Sequence, residues 1–261
     1  MAKTSVIGPA DKVTTALVLT CVGGFVDAVG YISLHEVFTA NMSGNSIHVG
    51  MYLSQRDWPN LLRPLCAVMS YVVGMLLARI ALEAAARARI ARIASFTFGV
   101  EALLLFFFAR ATPAMHLGQI TDLHSPAYFA LVALLALAMG VQVATLTHVG
   151  ALTIYTTFVT GTLTKMTESL TRALFWMWDE MRQTGMSSIV RHATVQRDVR
   201  HSAMLASTWI VYVAGAALGA LAKARWELRA LYAPVVLLAI FVVIDRVLPI
   251  SAEEEKKQAG E

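Results

Sequence analysis

VTTALVLTCVGGFVDAVGYISL, Val13 to Leu34, runs 22 positions with a single charged side chain, Asp27. A helix of about 20 apolar residues crosses roughly 30 Å of hydrocarbon, and the run lacks the two-residue alternation of a lipid-facing barrel strand. Working outward, the pattern recurs. Pro126–Leu146 and Ser202–Ala222 each carry 21 residues without a charge, and shorter blocks follow at Leu65–Leu82, Ile93–Ala109 and Ala230–Ile250. In the last block, Asp245 and Arg246 are expected near a headgroup layer. The whole chain is 57% hydrophobic and 15% charged, whereas soluble domains carry about 25% charged residues. Too few charges are present to coat a water-facing surface. The reading is an all-α, polytopic integral membrane protein, with about six transmembrane helices in one membrane domain over residues 1–261.

The net charge of +4 comes from basic residues lying between the apolar runs, which points to membrane orientation rather than nucleic-acid binding. Arg79, Arg87, Arg89 and Arg92 follow the second run, and Arg182, Arg191, Arg197 and Arg200 precede the fifth. The loop Arg110–Ser125 holds one Arg and one Asp. Placing the Arg-rich stretches in the cytoplasm and Arg110–Ser125 outside puts both termini inside. The basic loop Lys223–Arg229 is the exception, because this scheme makes it external.

The chain also repeats itself. Gly24-Phe25-Val26-Asp27-Ala28 parallels Gly140-Val141-Gln142-Val143-Ala144, and Tyr71-Val72-Val73-Gly74 parallels Tyr212-Val213-Ala214-Gly215. Gly24 and Gly140 are 116 residues apart and Tyr71 and Tyr212 are 141 apart; the difference matches a polar insert near residues 179–201. Residues 13–110 form the first half and 126–250 the second. With three crossings each, the halves enter the membrane from opposite sides, the inverted arrangement of many secondary transporters. Four crossings per half, with parallel repeats, would put the Arg87–Arg92 cluster outside.

Each half carries a small, polar, Gly-containing segment: Thr39-Ala40-Asn41-Met42-Ser43-Gly44-Asn45 and Thr156-Thr157-Phe158-Val159-Thr160-Gly161-Thr162. Irregular backbone at membrane depth survives only where protein or water satisfies it. One reading makes the two segments broken or re-entrant helices that meet near the midplane around a solute; the other makes them interfacial loops with Ser43 or Thr160 as helix caps. Gly44 and Gly161 are expected to allow a close approach or a positive φ. A carboxylate at Asp27 costs about 2.5–3.5 kcal/mol to insert. Gly23, Gly24, Asp27 and Tyr31 share one helix face. Asp27 is read as a proton-coupling or solute-binding acid, with an interhelical hydrogen bond as the alternative. Glu101, alone among apolar residues, is a weaker candidate whose alternative is pairing with an arginine or lining a helix contact. Gln142 is a neutral one.

The candidate pathway therefore comprises Asp27, Tyr31, Asn41, Ser43, Gly44, Asn45, Glu101, Gln142, Thr157, Thr160, Gly161 and Thr162. Gly215 and Gly219 are read as a packing stripe. Trp176 and Trp178 mark an interfacial helix. His116, Asp122 and His124 are read as a solvated loop rather than a metal site. No nucleotide-binding loop, GxSxG elbow or HExxH helix occurs, so an enzyme ranks last, and no cofactor is expected.

Gly24-x-x-Asp27-Ala28, Met42-Ser43-Gly44-Asn45 and Val159-Thr160-Gly161-Thr162 together resemble the bacterial YoaK-like membrane family, a domain of unknown function. The resemblance covers roughly Leu17–Leu248. It implies a multi-span protein of the bacterial inner membrane. One departure stands out: the family's second motif often reads Gly-x-Gln-Asn-Ala, and Val143 replaces the Asn here. The function expected is a transporter or permease for an unidentified small solute, with proton coupling as an option. A channel and a non-transporting assembly component are the alternatives. The partners expected are the bilayer and that solute, with a homo-oligomer left open.

Overall fold

The structure is a computed structural model that describes residues 9–88, 90, 93–114, 123–149, 159–193 and 195–247. Among these every regular element is helical: α1 (Pro9–Ser33), α2 (Met42–Gln55), α3 (Trp58–Arg87), α4 (Ile93–Ala114), α5 (Pro126–Val149), α6 (Val159–Gln183), α7 (Met186–His192), α8 (Arg197–Trp226), a 3-10 turn (Glu227–Leu231) and α9 (Tyr232–Val247).

Among the described residues, four stretches are long and apolar enough to cross a membrane: Val13–Ser33, Trp58–Arg87, Pro126–Thr145 and Arg197–Arg246. The last, at 50 residues, holds α8, the 3-10 turn and α9. The second span begins earlier than its apolar block suggests. Asp57 caps α3 by accepting from the Asn60 amide, and Pro59 fits the first turn, where a missing N–H is harmless.

α1 and α5 occupy the centre, whereas α3 and α8 present Leu76, Leu77, Ile80, Ile210, Val213 and Leu221 outward. Such exposed aliphatic rows are what hydrocarbon chains, not water, would cover.

Two helix pairs form the frame, and each meets at glycines. A Cβ at Gly24 would lie 2.2 Å from the Tyr212 carbonyl oxygen, and one at Gly215 2.2 Å from the Cys21 carbonyl oxygen. In the other pair, a Cβ at Gly140 would lie 2.2 Å from the Tyr71 oxygen, and one at Gly74 2.3 Å from the Leu137 oxygen. The two sets occupy the same sequence offsets, 116 for α1 to α5 and 141 for α3 to α8. Gly219 joins them, seated over the Phe25 carbonyl. In each pair the helices run in the same direction: Cys21 and Phe25 meet Gly215 and Gly219, while Arg63 and Cys66 meet Tyr128 and Phe129 ahead of the Gly74–Leu137 contact.

The polar stretch 179–201 is mostly helical, comprising the end of α6, all of α7 and the first turn of α8. α6 is held to α8 by Ser169 with His201 Nδ1 (2.8 Å) and by Arg172 with Asp198 (3.0 Å). Trp178 is exposed on α6, with the Arg182 guanidinium over its ring. Asp245 stands near the end of α9, beside the first turn of α4. It is fully buried and accepts from the Ser95 amide (2.8 Å) and hydroxyl (2.6 Å), so the end of α9 caps the first turn of α4.

Candidate functional site

Asp27 organises the site. The chain leaves α1 at Ser33, turns through His35 (φ 49°) and Glu36 (φ 67°), and doubles back along the helix it has just left. Thr39 N (2.9 Å), Ala40 N (2.8 Å) and Thr39 Oγ1 (3.1 Å) all donate to Asp27 Oδ1. Tyr212 donates its hydroxyl hydrogen to Oδ2 across 2.9 Å. Asp27 lies six residues before the end of α1, so the chain has returned by about 9 Å at 1.5 Å per residue. Backbone amides that the loop cannot satisfy itself are matched by a carboxylate with four lone-pair sites. Of the two readings of Asp27, the hydrogen bonds describe a clamp that joins α1, the doubled-back segment and α8.

α2 then runs back the way the loop came. It ends at Gln55, two residues from the cap of α3. Arg63, in the second turn of α3, donates to the His35 carbonyl at the end of α1. Both ends of α2 therefore open toward the same end of α1. Asn41 caps α2 by accepting from Gly44 N (3.3 Å) and Ser43 Oγ (2.8 Å). Met42-Ser43-Gly44-Asn45 is thus the first turn of a helix, and the irregular backbone is residues 34–41. That corrects the placement of the break and makes Asn41, not Ser43, the cap.

Asn45 is fully buried and mimics a backbone partner. Its Oδ1 accepts from Phe38 N (3.0 Å) and its Nδ2 donates to Phe38 O (2.7 Å). Gly44 serves the same residue. A Cβ there would stand 2.8 Å from the Phe38 ring, and positive φ falls at His35 and Glu36 instead. Tyr31 packs against Phe38 as a tilted ring pair, centroids 4.5 Å apart.

Two residues that the apolar pattern passes over brace the turn. Tyr128 donates to Leu34 O (2.7 Å). Arg63 spans Tyr128 Oη (3.3 Å), Asn60 Oδ1 (3.4 Å) and the His35 carbonyl, its guanidinium 5.6 Å from the Tyr128 ring centroid. Arg63 is buried, and its hydrogen bonds run to carbonyls and a hydroxyl rather than to carboxylates. The signal available in the sequence was an arginine just ahead of the apolar block Leu65–Leu82, between Asn60 and that block.

The remaining candidates separate. Gln142 donates to Leu19 O (3.1 Å) while its Oε1 has no partner, and Glu101 is fully buried with neither oxygen paired. Among the described residues Glu101 therefore has no arginine partner and lines a helix contact instead. Thr160, Gly161 and Thr162 lie in the first turn of α6, not in an unwound segment; Thr162 is buried and the other two are exposed. Thr157, with the rest of 150–158, lies outside the described residues, as do His116 and Asp122; His124 is exposed. No cluster of three metal-ligating side chains occurs among the described residues. Two surface hollows, one at Arg79, Glu83 and Arg87 and one at Thr164, Glu168 and Arg172, are lined by none of the clamp residues.

Long apolar helices joined at glycines, with polar backbone satisfied internally and aliphatic faces turned outward, define an α-helical transmembrane protein. The chain belongs to the family described as "Protein of unknown function (DUF1275)", which it matches over residues 15–244. It is similar to the UPF0700 transmembrane protein YoaK of Bacillus subtilis (strain 168), 27% identical over 230 residues that cover 86% of this chain and 90% of that one. No solved structure matches it.

Proposed function

We propose that the protein is a transporter for a small solute in the bacterial cytoplasmic membrane. Its six crossings are α1, α3, α4, α5, α8 and the 3-10 turn with α9, arranged as two inverted halves with both termini cytoplasmic. The observation that carries this reading is α2, a helix that starts beside Asp27 and leaves by the end it came from. Half-helices of that kind bring backbone amides and carbonyls to membrane depth, where transporters hold their solutes. The matched glycine crossings support the inverted repeat, as does the direction of the chain. α3 starts where α1 ends, and α5, parallel to α3, opposes α1. α9 alone, at 16 residues, spans about 24 Å; the five-residue turn before it supplies about 10 Å more.

The test is uptake by liposomes carrying the purified protein, after a thermal-unfolding screen has picked a solute that stabilises it. Saturable, gradient-driven accumulation that falls in Asn45→Ala is expected. Flux that is linear in solute and indifferent to gradients would favour a channel. Failure of every stabilising solute to move would favour a non-transporting membrane component.

A further inference from the structure

Glu101 sits eight residues into α4, about 12 Å along the helix from Ile93, in the stripe Ala94, Thr97, Phe98, Glu101, Leu105 and Phe108 that is buried from end to end. α4 packs on α5 and on α9, so this stripe lies in the seam between the two halves of the chain. No surface of Glu101 is exposed, and neither carboxyl oxygen has a hydrogen-bond donor. Thr97, one turn away, spends its hydroxyl hydrogen on Ala94 O (3.0 Å). The ionisable groups on the packed elements are otherwise placed. Asp245 on α9 is committed to Ser95, and Arg246 is exposed. Glu227 and Arg229 on the 3-10 turn are exposed, as are Arg79 and Glu83 on α3 and Arg110 on α4. α5 offers no charged side chain between Pro126 and Thr145.

An ionised carboxylate in such a place would lack both water and a counter-charge, whereas the neutral acid needs no counter-charge and costs far less to bury. A purely structural acid is paired, as Asp27 and Asp245 are. We infer that Glu101 is a proton-binding site: a neutral carboxylic acid in the closed form seen here, which discharges when the seam of α4, α5 and α9 opens to water. In that step the O–H bond of the carboxyl breaks, its electron pair stays on the Glu101 oxygen, and the proton passes to an entering water. The inference rests on the transport reading for its purpose, since a proton released on opening can drive a solute. Its chemistry is read without any solute.

The experiment is infrared difference spectroscopy of the full-length protein in lipid at neutral pH. A carbonyl band of a protonated carboxylic acid should be present in wild type and missing in Glu101→Gln. On transfer to heavy water it should shift while the protein remains folded. Should Glu101→Gln not fold, dicyclohexylcarbodiimide treatment of wild type replaces it: an adduct mapped to Glu101 by peptide mass spectrometry should remove the band. Absence of the band, or its survival in both cases, overturns the inference, because Glu101 is then ionised or ligated by another cation. A band that never exchanges in the folded protein also overturns it. Failure of solute uptake alone would sink the transport reading and leave the spectrum standing.

Discussion

Tyr212 on α8 and Asp27 on α1, 185 residues apart, share a 2.9 Å hydrogen bond at a crossing where Gly24 lies directly on the Tyr212 backbone. The same carboxylate holds Thr39 and Ala40, so one side chain fixes both a helix pair and a doubled-back segment. Asp27→Ala should orphan two buried amides and the hydroxyls of Thr39 and Tyr212, destabilising by about 2–4 kcal/mol. Asp27→Asn should be milder, because its oxygen can face the two amides while Tyr212 rotates to accept. Thermal unfolding in detergent checks the order; equal losses for Ala and Asn would mean that the amides find other partners.

Gly24→Ala and Gly140→Ala should both loosen the bundle, by about 1–3 kcal/mol each as overpacked contacts do. The obstructing atoms are backbone carbonyls that cannot swing aside. Gly99→Ala and Gly50→Ala meet nothing within 4 Å and should be neutral or stabilising by about 0.5–1 kcal/mol. Unfolding temperatures of the four variants make the comparison.

Asn45→Asp should disturb the doubled-back segment at least as much as Asn45→Ala. The amide both donates to and accepts from Phe38, and a carboxylate would set an oxygen against the Phe38 carbonyl. Hydrogen–deuterium exchange of residues 38–40 should rise in both variants. Wild-type protection in Asn45→Asp would show that the segment is held without Asn45.

Hydrogen bonds from the Asn60 side chain and amide hold the Asp57 carboxyl below its ordinary value. A depressed pKa contributes stability that is full above the unfolded-state value and is lost as pH falls through the folded-state value. The acid limb of the stability curve should therefore be shallower in Asp57→Asn. A pH series of unfolding temperatures for the two proteins tests the difference, and identical limbs would remove Asp57 from the account.

The inverted arrangement predicts that the two ends of α3 lie on opposite faces of the membrane. With Cys21 and Cys66 replaced by alanine, Arg56→Cys should react with an impermeant thiol reagent outside intact cells. Arg87→Cys should react only after permeabilisation. Labelling of both from outside would overturn the topology.

Val13–Leu34 and its sister runs determined by themselves that the chain is helical and belongs in a bilayer, because hydrocarbon leaves a long apolar segment no other way to satisfy its backbone. The glycines were legible too: Gly24 and Gly140, Gly74 and Gly215 recur at matched offsets, and the small side chains are what let backbones touch. The sequence also exposed Asp27, Asn45 and Glu101 as polar groups needing an explanation, but not what they meet. Only the tertiary structure decided that Asp27 grips Thr39, Ala40 and Tyr212, that Asn45 pairs with Phe38, and that Glu101 meets no donor. It also decided that Arg63 and Tyr128 brace the turn at His35 and that Asp245 is a cap for α4. The physical reason is that burial follows from composition summed along a helix, whereas a hydrogen bond between helices depends on their rotation and depth. No local periodicity encodes those two quantities.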